Sequence, residues 1–168
     1  EDIYHLILLP TYKEGVEVIS SALDALSNSN YPNNRMIVVI AQEERAGKDF
    51  NDAVAHELLS KYHNSFMKIA VIQHPADLPG ESAGKGSNIA WAGKRAKTEL
   101  IDGLDIKHDH VIVSAFDVDT VVFPEYFGRL TYVFLTTPNP LRASYQPVPF
   151  YTNNIWEAPA LARVVSFS

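Results

Sequence analysis

Cysteine is missing altogether from the 168 residues. Its absence excludes disulfides, thiolate metal sites and a cysteine nucleophile, and it fits a reducing compartment. Positive charge is in short supply too: 14 Lys and Arg stand against 20 Asp and Glu, a net charge of −6. A general nucleic-acid binder needs the opposite balance, because neutralising phosphates takes a surplus of cationic side chains. No apolar run approaches the ~20 residues of a membrane-spanning helix, and no basic-then-apolar leader opens the chain. The Gly-x-Ser-x-Gly elbow of a serine nucleophile is absent, and no Gly-x-Gly-x-x-Gly turn follows the first apolar run.

What is present is ordinary in bulk. Hydrophobic residues make up 46% and charged residues 20%, close to soluble globular averages. The length suits one domain with a sizeable core rather than two. The first residue is Glu1, strand-like sequence begins at once at Ile3, and residues 160–168 are apolar with no Gly or Pro stop signal. The expectation is a single incomplete domain, residues 1–168, cut from a longer protein.

Four short runs rich in Ile, Val and Leu occupy residues 5–9, 36–41, 68–73 and 110–116. Nearly continuous apolar runs of this length predict strands buried on both faces of a parallel sheet. Helical stripes lie between them: Val16, Ile19, Leu23 and Leu26; then Phe50, Val54, Leu58 and Tyr62; then Ile89, Ala92, Ala96 and Leu100. Strands alternating with helices predict βαβ units and an α/β fold. Beyond Phe116 the pattern predicts a helix over 126–135, a strand over 141–148 and a final helix over 153–168. Ligands of such sheets bind beyond the carboxyl ends of the strands, so the residues that follow each run are the informative ones.

After the fourth run come Asp117, Val118 and Asp119. Hard cations such as Mg²⁺ or Mn²⁺ take carboxylate oxygens, and a diphosphate supplies more. Two Asp one residue apart lie on the same side of an extended chain and can converge on one ion. The competing reading makes Asp117 a turn former and Asp119 the cap of the next helix. After the third run, Gly80, Gly84 and Gly86 precede a helical stripe, with Lys85 between two of them. Free N–H groups at a helix start, the macrodipole and an ammonium all suit a phosphate. The alternative is a flexible connection capped by Ser87 or Asn88. Tyr12 after the first run suits stacking on a base and Glu14 suits a ribose or base donor, although Glu14 is equally an N-terminal helix charge. His108, Asp109 and His110 look like a metal cluster but stand in a charged loop, and they read as solvated surface.

Together these residues resemble the large family 2 of inverting glycosyltransferases. The match lies in Leu9-Pro-Thr-Tyr-Lys-Glu14, Gly84-Lys-Gly-Ser-Asn88 and Phe116-Asp-Val-Asp-Thr120, with Pro124 opening the next element. It runs in order and spacing from Ile3 to about Phe127. The resemblance implies a GT-A fold, a Rossmann-like, mainly parallel sheet flanked by helices. It implies a UDP- or GDP-sugar donor, with Pro10, Thr11, Tyr12 and Glu14 around the nucleoside, and Lys85 and Asn88 along the diphosphate. Asp117 and Asp119 would carry Mg²⁺ or Mn²⁺, with Asp117 also reaching the nucleotide. The acceptor would be a carbohydrate or a lipid-linked group. Its hydroxyl, deprotonated by a base, would displace the diphosphate at the anomeric carbon. The expected location is cytoplasmic, with the longer protein at the cytoplasmic face of a membrane.

Two departures stand out. Family members often carry an Asp-Asp-Gly-Ser-like turn after the second strand, whereas this chain has Ala41-Gln-Glu-Glu-Arg45, which leaves Glu43 as the substitute reader of the base. The family's catalytic base is usually an Asp well downstream of the metal motif, yet no Asp follows Asp119. Glu157 is the weak remaining candidate. A rival reading is a haloacid-dehalogenase-type phosphatase, with Asp117 as nucleophile and Asp119 as acid/base. It needs a downstream Lys and further acidic ligands, and neither a Lys nor an Asp follows Thr120. The other rival is a nucleotide-sugar-binding domain that is inactive on its own.

Overall fold

The structure is a computed structural model in which residues 2–147 are described. The chain divides into two compact units, Glu1–Pro138 and Asn139–Ser168. In the first, the four apolar runs form β1 (Tyr4–Thr11), β2 (Met36–Glu43), β3 (Lys68–His74) and β4 (Val111–Ala115). All pairings are parallel, in the order β3-β2-β1-β4. The helices are α1 (Val16–Ser27), α2 (Lys48–Tyr62), α3 (Lys85–Ala96) and α4 (Tyr126–Thr136).

The continuous apolar runs are explained by helices on both faces. Ile7 and Leu9 of β1 and Met36, Val38 and Ile40 of β2 join Ile19, Leu23 and Leu26 of α1 and Val54 and Leu58 of α2. The alternate residues, Leu6, Leu8, Ile37, Val39 and Ala41, join Ala92 and Ala96 of α3. A period of two along each strand thus feeds two separate cores. The crossovers account for the sides taken. From β1 to β3 the sheet grows one way, and right-handed connections place α1 and α2 on one face. The third connection returns past β1 to β4, which puts α3 on the other face. The strand order therefore reverses between β1 and β4, and that is the switch point of the sheet.

Three expectations are corrected in detail. The inward face of α2 runs through Asn51 rather than Phe50, which is exposed. The reason is polar: the Asn51 amide donates to the Glu43 carbonyl at 2.9 Å and fastens the end of β2. The third stripe outlasts its α-helix, because a π turn over Lys97–Ile101 carries Leu100 and Ile101 into the core. The strand expected over 141–148 is not formed in its described part. Pro140–Arg142 is a 3-10 turn and no strand follows it to residue 147. Residues 141–147 are exposed apart from the half-buried Tyr145, no strand pairs with them among the described residues, and Pro147 has no N–H for a ladder. The helix expected over 153–168, and Glu157 with it, lies outside the described residues.

Candidate functional site

In a parallel sheet every strand delivers its next residues to the same edge, and three loops and one helix start gather there. β1 runs on through Leu9, Pro10 and Thr11 after its last pairing with β4, Leu8 to Ala115. The chain leaves β4 through Phe116, whose N–H still donates to the Leu8 carbonyl at 3.1 Å. A tight turn follows, closed by the Thr120 N–H on the Asp117 carbonyl at 2.8 Å. Val118 points into the core at 7% exposure, and the flanking Asp117 and Asp119 are exposed. The strand-like alternation thus survives the turn and leaves both carboxylates outside. Asp119 does not cap α4; that position belongs to Glu125, whose carboxylate accepts from the Asn30 amide.

Opposite this turn stands the start of α3. Its first residue, Lys85, forms an ion pair with Asp117, and both side chains are more than half exposed. The expected anion loop and the expected metal loop therefore meet. A Cβ added at Gly84 or Gly86 would meet no atom within 4 Å, and neither backbone lies in the left-handed region that favours glycine. Nothing in the protein itself demands glycine there, and glycine inside a first helical turn costs roughly 0.5–1 kcal/mol relative to alanine. What the two glycines provide is bare backbone, with the unsatisfied N–H groups of a helix start left open to an incoming group.

The residues assigned to a nucleoside form a second cluster. Tyr12, 38% exposed, has the Arg45 guanidinium 5.4 Å from its ring centre, and Arg45 is ion-paired to the buried Glu43. Glu14 accepts the Tyr12 N–H at 2.7 Å, so its carboxylate shapes the loop after β1. Pro10 and Thr11 are buried at the end of β1. Arg45 was not singled out from the sequence; the signal available was a cation two residues after Glu43, beside the end of a buried strand. His108, Asp109 and His110 form a surface 3-10 turn in which His108 Nε2 lies 2.7 Å from Asp102. Hydrogen bonds from Lys97 and His108 hold the Asp102 carboxyl below its usual pKa.

Asn88 belongs elsewhere than expected. It is 1% exposed, and its amide donates to the Ala41 carbonyl at 2.7 Å, tying α3 to the end of β2. Its side chain anchors the helix that carries Lys85. Asn88→Ala is therefore expected to lower folding stability by about 1–3 kcal/mol through an unpaired buried carbonyl. Urea denaturation reads the loss; an unchanged midpoint would return Asn88 to a ligand-contacting role.

A hard cation fits Asp117 and Asp119 only in part. Among the described residues no group of three or more His, Cys, Asp or Glu is placed to hold a metal. Two carboxylates suit Mg²⁺ or Mn²⁺ when phosphate oxygens and water complete the shell. The residues thus fit a cation shared with a diphosphate, rather than a cage made by the protein alone.

No protein-family model matches the chain, and neither does any curated protein. Among solved structures it is similar to the crystal structure of S. aureus TarS 1-349, at a TM-score of 0.53 and 19% identity over 79% of this chain and 32% of that one. It is also similar to the crystal structure of S. aureus TarS, at 0.50 and 19% identity over 79% of this chain and 19% of that one. The likeness shows the fold alone, an α/β, Rossmann-like sheet consistent with GT-A. The chain spans about a third of the shorter TarS form and about a fifth of the longer.

Proposed function

We propose that this chain is the donor-binding part of a metal-dependent, inverting glycosyltransferase of the family 2 type. The observation that carries the reading is the meeting of Lys85, at the open start of α3, with Asp117, at the end of β4 beside the switch point. A cation at a helix N-terminus set against one carboxylate, with a second carboxylate two residues further on, suits a diphosphate with a divalent metal. The donor is a UDP- or GDP-sugar, its base packed on Tyr12 under Arg45 and its diphosphate between Lys85 and the metal. Arg45 and Glu43, locked to each other, supply both donors and acceptors for the base edge.

A bound Mg²⁺ or Mn²⁺ would neutralise charge on the diphosphate leaving group. The chain's own residues hold and orient the donor: Asp117 and Asp119 face the cation, and Lys85 faces phosphate. The acceptor is a carbohydrate or a lipid-linked group, reached at the cytoplasmic face of a membrane by the longer protein. Among the described residues no helix is long and apolar enough to cross a membrane. The Glu125 carboxylate is engaged with the Asn30 amide and no Asp follows Asp119, so this chain is expected to bind donor and transfer no sugar.

Calorimetric titration with UDP and with GDP, in Mn²⁺ and then in chelator, tests the reading. One of the two is expected to bind, and far more tightly with metal than in chelator. Asp119→Asn is expected to weaken that binding by at least ~1.5 kcal/mol, the loss of a charge-assisted ligand. Equal affinity in chelator would remove the metal from the proposal.

A further inference from the structure

Lys85 and Asp117, the two groups that a metal-bound diphosphate needs, are each other's partner in this structure. This arrangement has a cost in binding. An ammonium and a divalent cation on one carboxylate repel each other, so the cation can take Asp117 fully only when Lys85 leaves. A half-exposed ion pair is weak and opens readily. A diphosphate offers the ammonium several anionic oxygens in exchange for one carboxylate, and at the start of α3 it gains the helix N–H groups as well.

We propose that Lys85 and Asp117 form an exchange latch that makes cation binding conditional on the donor. The ammonium holds the carboxylate until a diphosphate draws it away, and Asp117 is then released to the metal. Lys85 is a positioning residue for the cation as well as a phosphate contact. The coupling is reciprocal by thermodynamic necessity: whatever factor the diphosphate adds to metal affinity, metal adds to diphosphate affinity. The latch also gives the two-carboxylate site its order of filling. Metal alone meets an occupied Asp117, whereas the donor diphosphate opens the site and completes the cation's shell. This inference rests on the metal-dependent donor reading above, and it adds a role for Lys85 that a simple phosphate contact does not have.

The test counts Mn²⁺ by electron paramagnetic resonance, with and without UDP or GDP, on the whole 168-residue chain. Lys85→Gln and Lys85→Met are expected to bind Mn²⁺ alone at least ~3-fold more tightly than the parent, while their nucleoside-diphosphate binding falls; couplings of this kind typically reach ~5-fold or more. Lys13→Gln, on the loop after β1, removes the same charge without touching Asp117 and measures the general electrostatic gain. Asp117→Asn is expected to bind the diphosphate in chelator at least ~3-fold more tightly, because Lys85 is set free. If the parent takes up Mn²⁺ with diphosphate but the Lys85 variants gain no more for metal alone than Lys13→Gln, the latch is overturned and the donor reading stands. If the parent takes up no Mn²⁺ with either diphosphate, both fall.

Discussion

Phe127→Ala is expected to remove about 3–5 kcal/mol of folding stability, the usual loss for an aromatic ring deleted from a core. Phe127 is fully buried and stands where α4 meets the rest of the fold. Its ring packs edge-on against His5 of β1 at 4.9 Å, Phe116 at 6.3 Å and Tyr126 at 5.1 Å. Val118 and Val122, which flank Asp119 and belong to the same cluster, rest on that core. The cavity would open beneath the turn that presents Asp117 and Asp119, so the loss couples packing to the site. At this chain length each kcal/mol lowers the melting temperature by about 2–4 °C, for a fall of roughly 10 °C. The urea midpoint should drop with little change in slope, and metal-dependent diphosphate binding should weaken even where the variant is folded. A stability loss under ~1 kcal/mol would show that the ring is not a structural support of the metal loop.

Stability is also expected to fall by up to about 3 kcal/mol as the pH drops from 6.5 to 4, through His5 alone. His5 is fully buried on β1, with Nε2 2.9 Å from the Thr131 hydroxyl on α4 and Nδ1 without a hydrogen-bond partner. Tyr31 and Phe127 close over the ring edge-on. Burial penalises the imidazolium and lowers the pKa from 6.5 to about 4. Between those values the unfolded chain holds a proton that the folded chain does not, so stability rises with pH across the window. The contribution is complete above 6.5, is lost as the pH falls toward about 4, and declines no further below it. Each unit of depression is worth about 1.4 kcal/mol, which sets the bound. Denaturation of the parent and of His5→Phe at several pH values isolates the effect, because the carboxylates and the other histidines are common to both. Parallel stability curves would rule it out.

The four strands and four helices were legible because burial on two faces leaves a nearly uninterrupted apolar run, and burial on one face leaves a stripe. Both patterns are local. Residues 141–147 show where that logic stops: a stretch set between prolines can have the composition of a strand, but forming one requires a partner edge, and no local pattern encodes the partner. Phe50 and Asn51 teach the same lesson on a helix. Spacing favours Phe50, yet Asn51 turns inward because the end of β2 offers it a carbonyl to bond. His5 stands in a run that the sequence marks as a buried strand, but only the packing of α4 on β1 decides that Thr131, Tyr31 and Phe127 close around its ring.

The site divides in the same way. Residue types and their places after strands picked out by themselves the candidate groups: Asp117 and Asp119 as oxygen donors, Lys85 between glycines, and Tyr12 as a ring suited to stacking. Those assignments follow from chemistry that each side chain carries wherever it stands. Which of them meet was decided by the tertiary structure alone. Parallel pairing sends β1, β2 and β4 to one edge, and the return of the chain past β1 sets the turn after β4 against the start of α3. That geometry pairs Lys85 with Asp117, sets Arg45 over Tyr12 and withdraws Asn88 into the core. Residues 85 and 117 are far apart along the chain, and no short-range pattern couples positions so distant. Their meeting comes from strand order, which is settled by how two apolar faces are covered at once.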